Sequence, residues 1–382
     1  MSKLSPLITL SLSATLLMVG VGMVVALLPQ RVHAMTGTLE SVGLIASIFA
    51  LAYLLAQVPV SLLSDRLGAK RFLVIGYFLC AASGVVFFRS ETVGHVYLGR
   101  FIQGLGEASI WALGPALLSL AYPAKKGRAI GLYNAAIHMG LTLGPVLGLL
   151  LAPHGQSRLP FLVFAGLCLV GGLGVLAFLR AVPICARSTD AGAGPGAQQF
   201  RALLHRRRPA TLLSGVLLYG AGYGVFVSVL PVSLARTHGF DAAAVTATFV
   251  LFYAAISVAQ IAAGAISDRI GRQGFLVWGM GLSAAGIGAF LFTPGLWAYL
   301  PLGIASVGLG MFCVASISEL NDSVPDAFKG AISGSYYFFW GAGYVLGPLV
   351  IGAVAERAAL AGYLSLAVLF GLQALAVRTL YD

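Results

Sequence analysis

The stretch SLLSDRLGAKR, Ser61 to Arg71, returns later in the chain as GAISDRIGRQ, Gly264 to Gln273. The shared cores, SDRLG and SDRIG, lie 203 positions apart. At the same offset Gln57 meets Gln260, Gly127 meets Gly330, Gly131 meets Gly334 and Tyr133 meets Tyr336. Gly140, Gly144 and Pro145 likewise meet Gly343, Gly347 and Pro348. Eleven identities at one fixed offset, gathered around matching loops, read as two copies of one half-length unit arranged in parallel.

The medium for such a repeat follows from composition. Of 382 residues, 59% are hydrophobic and 9% charged, with a mean hydropathy of +0.94. Soluble domains carry about 25% charged residues. Twelve apolar runs each approach the ~20 residues needed to cross a bilayer: 7–29, 41–63, 72–89, 95–121, 129–152, 159–182, 210–234, 244–266, 274–294, 297–320, 331–355 and 360–378. The expected fold is an all-α membrane protein, with twelve transmembrane helices in two six-helix pseudo-repeated bundles. Residues 1–182 form the N-terminal bundle and 210–382 the C-terminal one. A cytoplasmic linker, 183–209, joins them. It contains STDAGAGPGAQQF (188–200) and the basic run His205-Arg206-Arg207-Arg208, which suits lipid headgroups. The first run, from Leu7 to Leu28, exceeds the ~7–15 residues of a signal-peptide core. It therefore reads as a first crossing despite the small-residue site at Val32-His33-Ala34.

The net charge of +11 does not point to nucleic acid, because the basic residues sit in short loops between apolar runs. With a cytoplasmic N-terminus, seventeen of the 23 Lys and Arg fall on the inside, five on the outside, and Arg100 within the fourth run. The positive-inside rule then puts both termini in the cytoplasm of a multi-pass protein of a bacterial-type inner membrane. Cys80, Cys168, Cys185 and Cys313 show no CxxC and no metal spacing, so neither a disulfide nor a metal site is expected. There is no phosphate loop and no nucleophile constellation, which argues against an enzyme and against a cofactor.

The Asp-Arg-x-Gly loop after the second run, the start of the fourth run (RFIQGLGEA, Arg100 to Ala108), the GLTLGPVLG of the fifth (Gly140 to Gly148) and the half-length repeat together resemble the major facilitator superfamily. The chain looks like its twelve-helix drug:proton antiporter type over essentially its whole length. One departure is Ser61, where the family usually has glycine; the second copy keeps Gly264. The resemblance implies that Asp65, Arg66, Gly68, Lys70 and Arg71 form a conformational latch. Asp268 and Arg269, with Gly271, then form either a weaker latch or only a helix cap. Asp65 is also placed to cap the third helix. The motif Gly140, Gly144, Pro145 and Gly148 is associated in the family with export in exchange for protons. As a bare pattern it is a close helix contact with a proline that permits a bend.

Within GRFIQGLGEASIWALGP, Gly99 to Pro115, two charges lie in a stretch otherwise fit for lipid. Such charges cost at least ~2.5–3.5 kcal/mol and tend to face a partner or a cavity. Arg100 and Glu107 are seven residues apart, on nearly one helix face and ~10 Å apart along the axis. That is too far for a direct pair, and the expectation is a bridging substrate or water. His138 comes out at a similar depth in the fifth run. At offset 203, Arg100, Glu107 and His138 become Gly303, Gly310 and Gly341, so the frame repeats and the buried charge does not. A lone carboxyl at mid-membrane takes up a proton. Glu107 is therefore the expected proton carrier, with Arg100 setting its field and His138 as a relay. The plainer alternatives are that Arg100 ties helices through carbonyls and that His138 bonds to a neighbouring helix. Gln57, Gln103, Trp111, Asn134, Tyr219, Tyr223, Gln260, Tyr336 and Trp340 are expected to line a substrate cavity. Glu319, beside Asn321 and Asp322, reads as part of a charge cluster.

The expected function is secondary active transport: proton-coupled efflux of a small, largely apolar compound by alternating access. Proton-coupled uptake of a nutrient, lipid or lysolipid transport, and a non-transporting receptor on the same scaffold are the alternatives. The expected partners are a small-molecule substrate, protons and the bilayer, with the chain a monomer.

Overall fold

The computed structural model describes residues 5–122, 126–153, 157–179, 206–324 and 329–380. Among these, all regular structure is helical. The helices are α1 (Pro6–Thr36), α2 (Leu39–Leu67), α3 (Ala69–Arg89), α4 (Val93–Ala121), α5 (Lys126–Leu151) and α6 (Leu159–Phe178). After them come α7 (Arg207–Val227), α8 (Val229–His238), α9 (Ala242–Ile270), α10 (Gln273–Phe290), a 3-10 turn (Gly295–Ala298), α11 (Tyr299–Asp322), α12 (Lys329–Arg357) and α13 (Ala359–Arg378). Eleven stretches are long and apolar enough to cross a membrane. Two helices are missing from that set: α8, too short at 10 residues, and α4, which is long enough at 29. Helix α4 carries Arg100, Gln103 and Glu107, and so lowers its own hydropathy.

The ends of the helices have local causes. Ser5 caps α1 by accepting the Ile8 N–H, and Asp241 caps α9 by accepting the Ala244 N–H at 2.8 Å. The repeated glycine of SDRLG and SDRIG has a conformational reason. Gly68 and Gly271 sit at φ +89° and +94°, a region costly for residues with a Cβ. Each donates its N–H four residues back, to Ser64 and Ser267, closing α2 and α9 in the same way. The expected cap by Asp65 takes another form. Helix α2 runs on to Leu67, which leaves Asp65 inside it, and the N-cap position of α3 is Gly68, with no side chain to offer.

The seventh apolar run, expected as one helix over 210–234, is broken at Ser228 into α7 and α8. Pro231 explains the position. In a continuous helix its ring would press on the carbonyl of Val227, and it has no N–H to bond it. The break puts Pro231 in the first turn of α8, where a proline fits. Helix α7 begins at Arg207, three residues before the expected boundary. Most of the expected linker, and Cys185, lie outside the described residues.

The chain forms two compact units. The first takes in α1, α2 from Leu44, α3 to α6, and 245–250; the second takes in 38–43, α7, α8, the rest of α9, and α10 to α13. Within the first, α1 packs on α5, α3 on α4 and α3 on α6; within the second, α7 packs on α12, α10 on α11 and α10 on α13. These pairings correspond one for one at the 203-residue offset, so the sequence repeat is carried into packing. The α1–α5 contact rests on glycine. A Cβ on Gly144 would overlap the Val19 carbonyl and come within 2.6 Å of the Gly22 Cα. The echo, Gly347, lies equally close to the backbone of Ala221 on α7. Helix α5 stays continuous through Pro145.

At one end of the second unit, Glu319 joins a charge cluster. It pairs with Arg208 from the first turn of α7 and lies 4.0 Å from Arg272, which also pairs with Asp322. Arg207 donates to Thr379 at 3.2 Å. Two of the basic residues expected at the headgroups are thus engaged within the protein.

Candidate functional site

In the first unit, four side chains of α4 spaced three or four residues apart form a ladder. Arg100, Gln103 and Glu107 are buried, at 3%, 0% and 2% exposure. The Arg100 guanidinium donates through Nε to the Ile45 carbonyl of α2 at 3.1 Å and lies over the Phe49 ring, 4.4 Å from its centroid. Its Nη1 donates to Gln103 Oε1 at 2.9 Å. Gln103 Nε2 donates to Glu107 Oε1 at 2.8 Å, and Trp111 Nε1 donates to Glu107 Oε2 at 3.2 Å. The spacing follows from helix geometry, since residues three and four apart share a face.

The bridge between Arg100 and Glu107 is therefore a residue of the chain, not a substrate or a water. Gln103, expected to line a cavity, spends its amide on that bridge. Its orientation is determined, because a guanidinium has only donors and must meet the amide oxygen. Trp111 is half-buried at the other end of the ladder.

His138, on α5, makes no ring hydrogen bond to Glu107, and its Nδ1 is buried without a partner. Asn134, on the same helix, is exposed, and Gln57 on α2 is half-buried. In the second unit the expected residues gather into one aromatic cluster. The Tyr223 ring packs edge-on against Tyr219 (6.2 Å), Phe252 (5.1 Å) and Trp340 (5.9 Å), and tilted on Tyr344 (5.9 Å). The Tyr336 hydroxyl donates to the Cys313 carbonyl at 3.3 Å and sits 3.5 Å from its Sγ. Tyr219 and Gln260 reach the same thiol. Phe49, Phe252, Tyr344 and Cys313 were missed from sequence. The offset repeat held the usable signals: Phe49 and Phe252 coincide at 203 residues, and Tyr133, the counterpart of Tyr336, also bonds a backbone carbonyl, that of Ile110.

Of the latch residues, Lys70 is half-buried, while Arg71 and Arg269 are exposed. The side chains of Asp65, Arg66 and Asp268 lie outside those described.

The sequence model of the Major Facilitator Superfamily matches residues 10–348. The chain belongs to the major facilitator superfamily. It is 24% identical over 369 residues to an MFS-type transporter of Methanocaldococcus jannaschii, covering 93% of this chain and 92% of that one. It is also 24% identical over 366 residues to the quinolone resistance protein NorA of Staphylococcus aureus, covering 89% and 87%. Among solved structures, a mutant of the nucleoside transporter NupG superposes with a TM-score of 0.79 at 14% identity, over 99% of both chains. A bacterial homologue of the human lysosomal transporter Spinster superposes with a TM-score of 0.79 at 16% identity, over 98% and 94%. These likenesses show the fold. The protein is a multi-pass transporter of small molecules and not an enzyme, as expected of a major facilitator chain.

Proposed function

We propose that this chain is a proton-coupled exporter of small, largely apolar compounds, working by alternating access. Its two repeats each supply six crossings, and both termini are cytoplasmic. A single chain is the working unit, since both repeats needed for alternation lie on it. The observation that carries the reading is the ladder on α4. Its carboxylate is buried, faces two neutral donors, and has a fixed cation one bridge away. No counterpart exists in the second repeat, where Gly303 and Gly310 stand. A charge kept at such cost in a frame that otherwise repeats is the natural carrier of the coupling ion. The glycine motif of α5 and the similarity to NorA support export. The aromatic cluster of the second unit and Trp111 of the first are surfaces suited to apolar rings. His138, with a buried unpartnered nitrogen, is available as a relay.

The test is flux in vesicles carrying the purified protein under an imposed pH gradient, with a quinolone, a nucleoside, a short peptide and a lysolipid as probes. Proton-driven movement of the quinolone against its gradient, opposite in direction to the proton, is the expected result. Movement of the nucleoside or peptide with the proton would replace export by uptake. Movement of the lysolipid alone would make the protein a lipid transporter, and no flux of any probe would favour a receptor.

The latch belongs to the same reading. Asp65→Asn is expected to leave the protein folded while lowering flux severalfold. Spin-label distances between the two repeats should also change their distribution. Full flux with unchanged distances would remove Asp65 from the latch.

A further inference from the structure

The ladder on α4 has a polarity that goes beyond holding a carboxylate. Its side-chain hydrogen bonds converge on Glu107, from Arg100 through Gln103 on one side and from Trp111 on the other. Arg100 can only donate, so the Gln103 oxygen faces it and the Gln103 N–H must face Glu107. The indole N–H of Trp111 is also a donor only. Both oxygens of Glu107 therefore face donors, at 2.8 and 3.2 Å. An ionised carboxylate accepts both. A protonated carboxyl carries an O–H of its own and loses one of the two.

The two donors are not equally free to leave. Gln103 is fully buried and locked by Arg100, itself anchored on the Ile45 carbonyl and the Phe49 ring. Trp111 is half-buried, its bond is the longer one, and among the described residues Glu107 is the sole hydrogen-bond partner of its indole.

We infer that Trp111 is a positioning residue that reads the proton on Glu107: its indole is docked on the ionised carboxylate and released when the carboxyl is protonated. This rests on Glu107 being the proton carrier of the proposed exporter, and it supplies what that proposal lacks for an uncharged substrate. A neutral, flat compound stacked on the docked indole favours the ionised state, and by linkage the proton disfavours that compound to the same degree. Proton and substrate then compete without the substrate ever meeting the carboxylate.

The other titratable groups in the middle stretches of this unit's helices are Arg100 on α4 itself, Tyr53 on α2, Tyr77 and Cys80 on α3, Tyr133 and His138 on α5, and Cys168 on α6. Of these, Arg100, Cys80 and Cys168 interact electrostatically with Glu107. Helix α1 brings only Arg31 and His33, at its C-terminal end. Of these, the histidines are the groups that ordinarily titrate between pH 5 and 8, and His138 is the one at similar depth. It is the necessary control.

The experiment uses the full chain in lipid nanodiscs with Trp278, Trp297 and Trp340 replaced by phenylalanine, so that Trp111 alone emits. Its emission is expected to shift in one step as pH falls. The step should vanish with Glu107→Gln and persist with His138→Asn. Emission indifferent to pH, a step that survives Glu107→Gln, or one that vanishes with His138→Asn would overturn the inference. If the triple replacement does not fold, the indole ¹⁵N resonance of the otherwise unaltered chain, assigned by its loss in Trp111→Phe, gives the same reading. The transport proposal fails separately. A Trp111 that follows Glu107 in a protein without proton-driven flux strikes the exporter and keeps the switch, whereas normal flux with an indifferent Trp111 strikes the switch alone.

Discussion

Glu107→Gln is expected to abolish accumulation of substrate driven by a pH gradient while leaving downhill exchange of substrate measurable. The argument starts from what glutamine preserves. It has the shape of the carboxylic acid and does not titrate, so the position is held permanently uncharged. One pH unit of gradient is worth 1.36 kcal/mol per proton, which supports about tenfold accumulation when one proton is exchanged per substrate. In the variant that ratio should fall to one. Some stability is lost as well. The two oxygens of Glu107 accept from Gln103 and Trp111, and a glutamine can accept from only one of them while its own N–H₂ faces the other. That mismatch costs on the order of 1–3 kcal/mol, so thermal unfolding must be measured beside flux. Downhill exchange retained with gradient-driven accumulation lost is the expected combination. Accumulation against a gradient at the normal rate would move the coupling role away from Glu107.

How far the site was legible depends on which kind of contact held it. The ladder residues were all legible as polar groups in an apolar run, and their spacing put them on one face. Their partnership was not, because Gln103 read equally well as a cavity-lining amide or as a bridge. Only the fixed direction of the Arg100 guanidinium decides between these. Of the anchors of Arg100, the Ile45 carbonyl had no signal, since a carbonyl is present at every residue, and Phe49 was marked only by its coincidence with Phe252 at the 203-residue offset. The aromatic cluster was half legible. Tyr219, Tyr223, Tyr336 and Trp340 stood out by type, Phe252 was marked only by its counterpart Phe49, and Tyr344 joined them through packing.

The fold was legible for a different reason. Runs of apolar residues of bilayer length have few other uses, and Gly68 and Gly271 marked turns that need a positive φ. The break at Ser228 escaped because a proline inside an apolar run need not end a helix. Pro29, Pro59, Pro115, Pro145 and Pro348 all sit inside continuous helices here. In the interior of a membrane protein the freed carbonyl can find other partners, so proline alone does not predict a break.

The glycines of α5 allow a sharper test of sequence against structure, because two of them look alike and differ in surroundings. At Gly131 an added Cβ meets nothing within 4 Å. Gly131→Ala should therefore be neutral, or stabilising by roughly 0.5–1 kcal/mol, since glycine in a helix interior is unfavourable relative to alanine. At Gly144 the added Cβ overlaps the Val19 carbonyl and approaches the Gly22 Cα at 2.6 Å. Both obstacles are backbone, and no rotamer change clears them. Helices α1 and α5 must move apart, loosening Gly140 from Met18 and Gly148 from Met23 along the same stripe. Gly144→Ala is accordingly expected to cost at least the ~1–3 kcal/mol of an overpacked core, and Gly144→Val to lower the yield of folded protein severalfold. Gly22→Ala meets Gly144 from the other side, at 2.9 Å from its Cα. The double substitution should therefore cost less than the sum of the singles, as expected for residues sharing one contact. Thermal unfolding in detergent and in lipid reads all five variants. The functional consequence follows from the same contact. Helices held apart at α1–α5 should leak protons before they change which substrate is preferred. A Gly144→Ala protein with unaltered stability and proton leak, but a new substrate preference, would show that the glycine stripe serves recognition instead of packing.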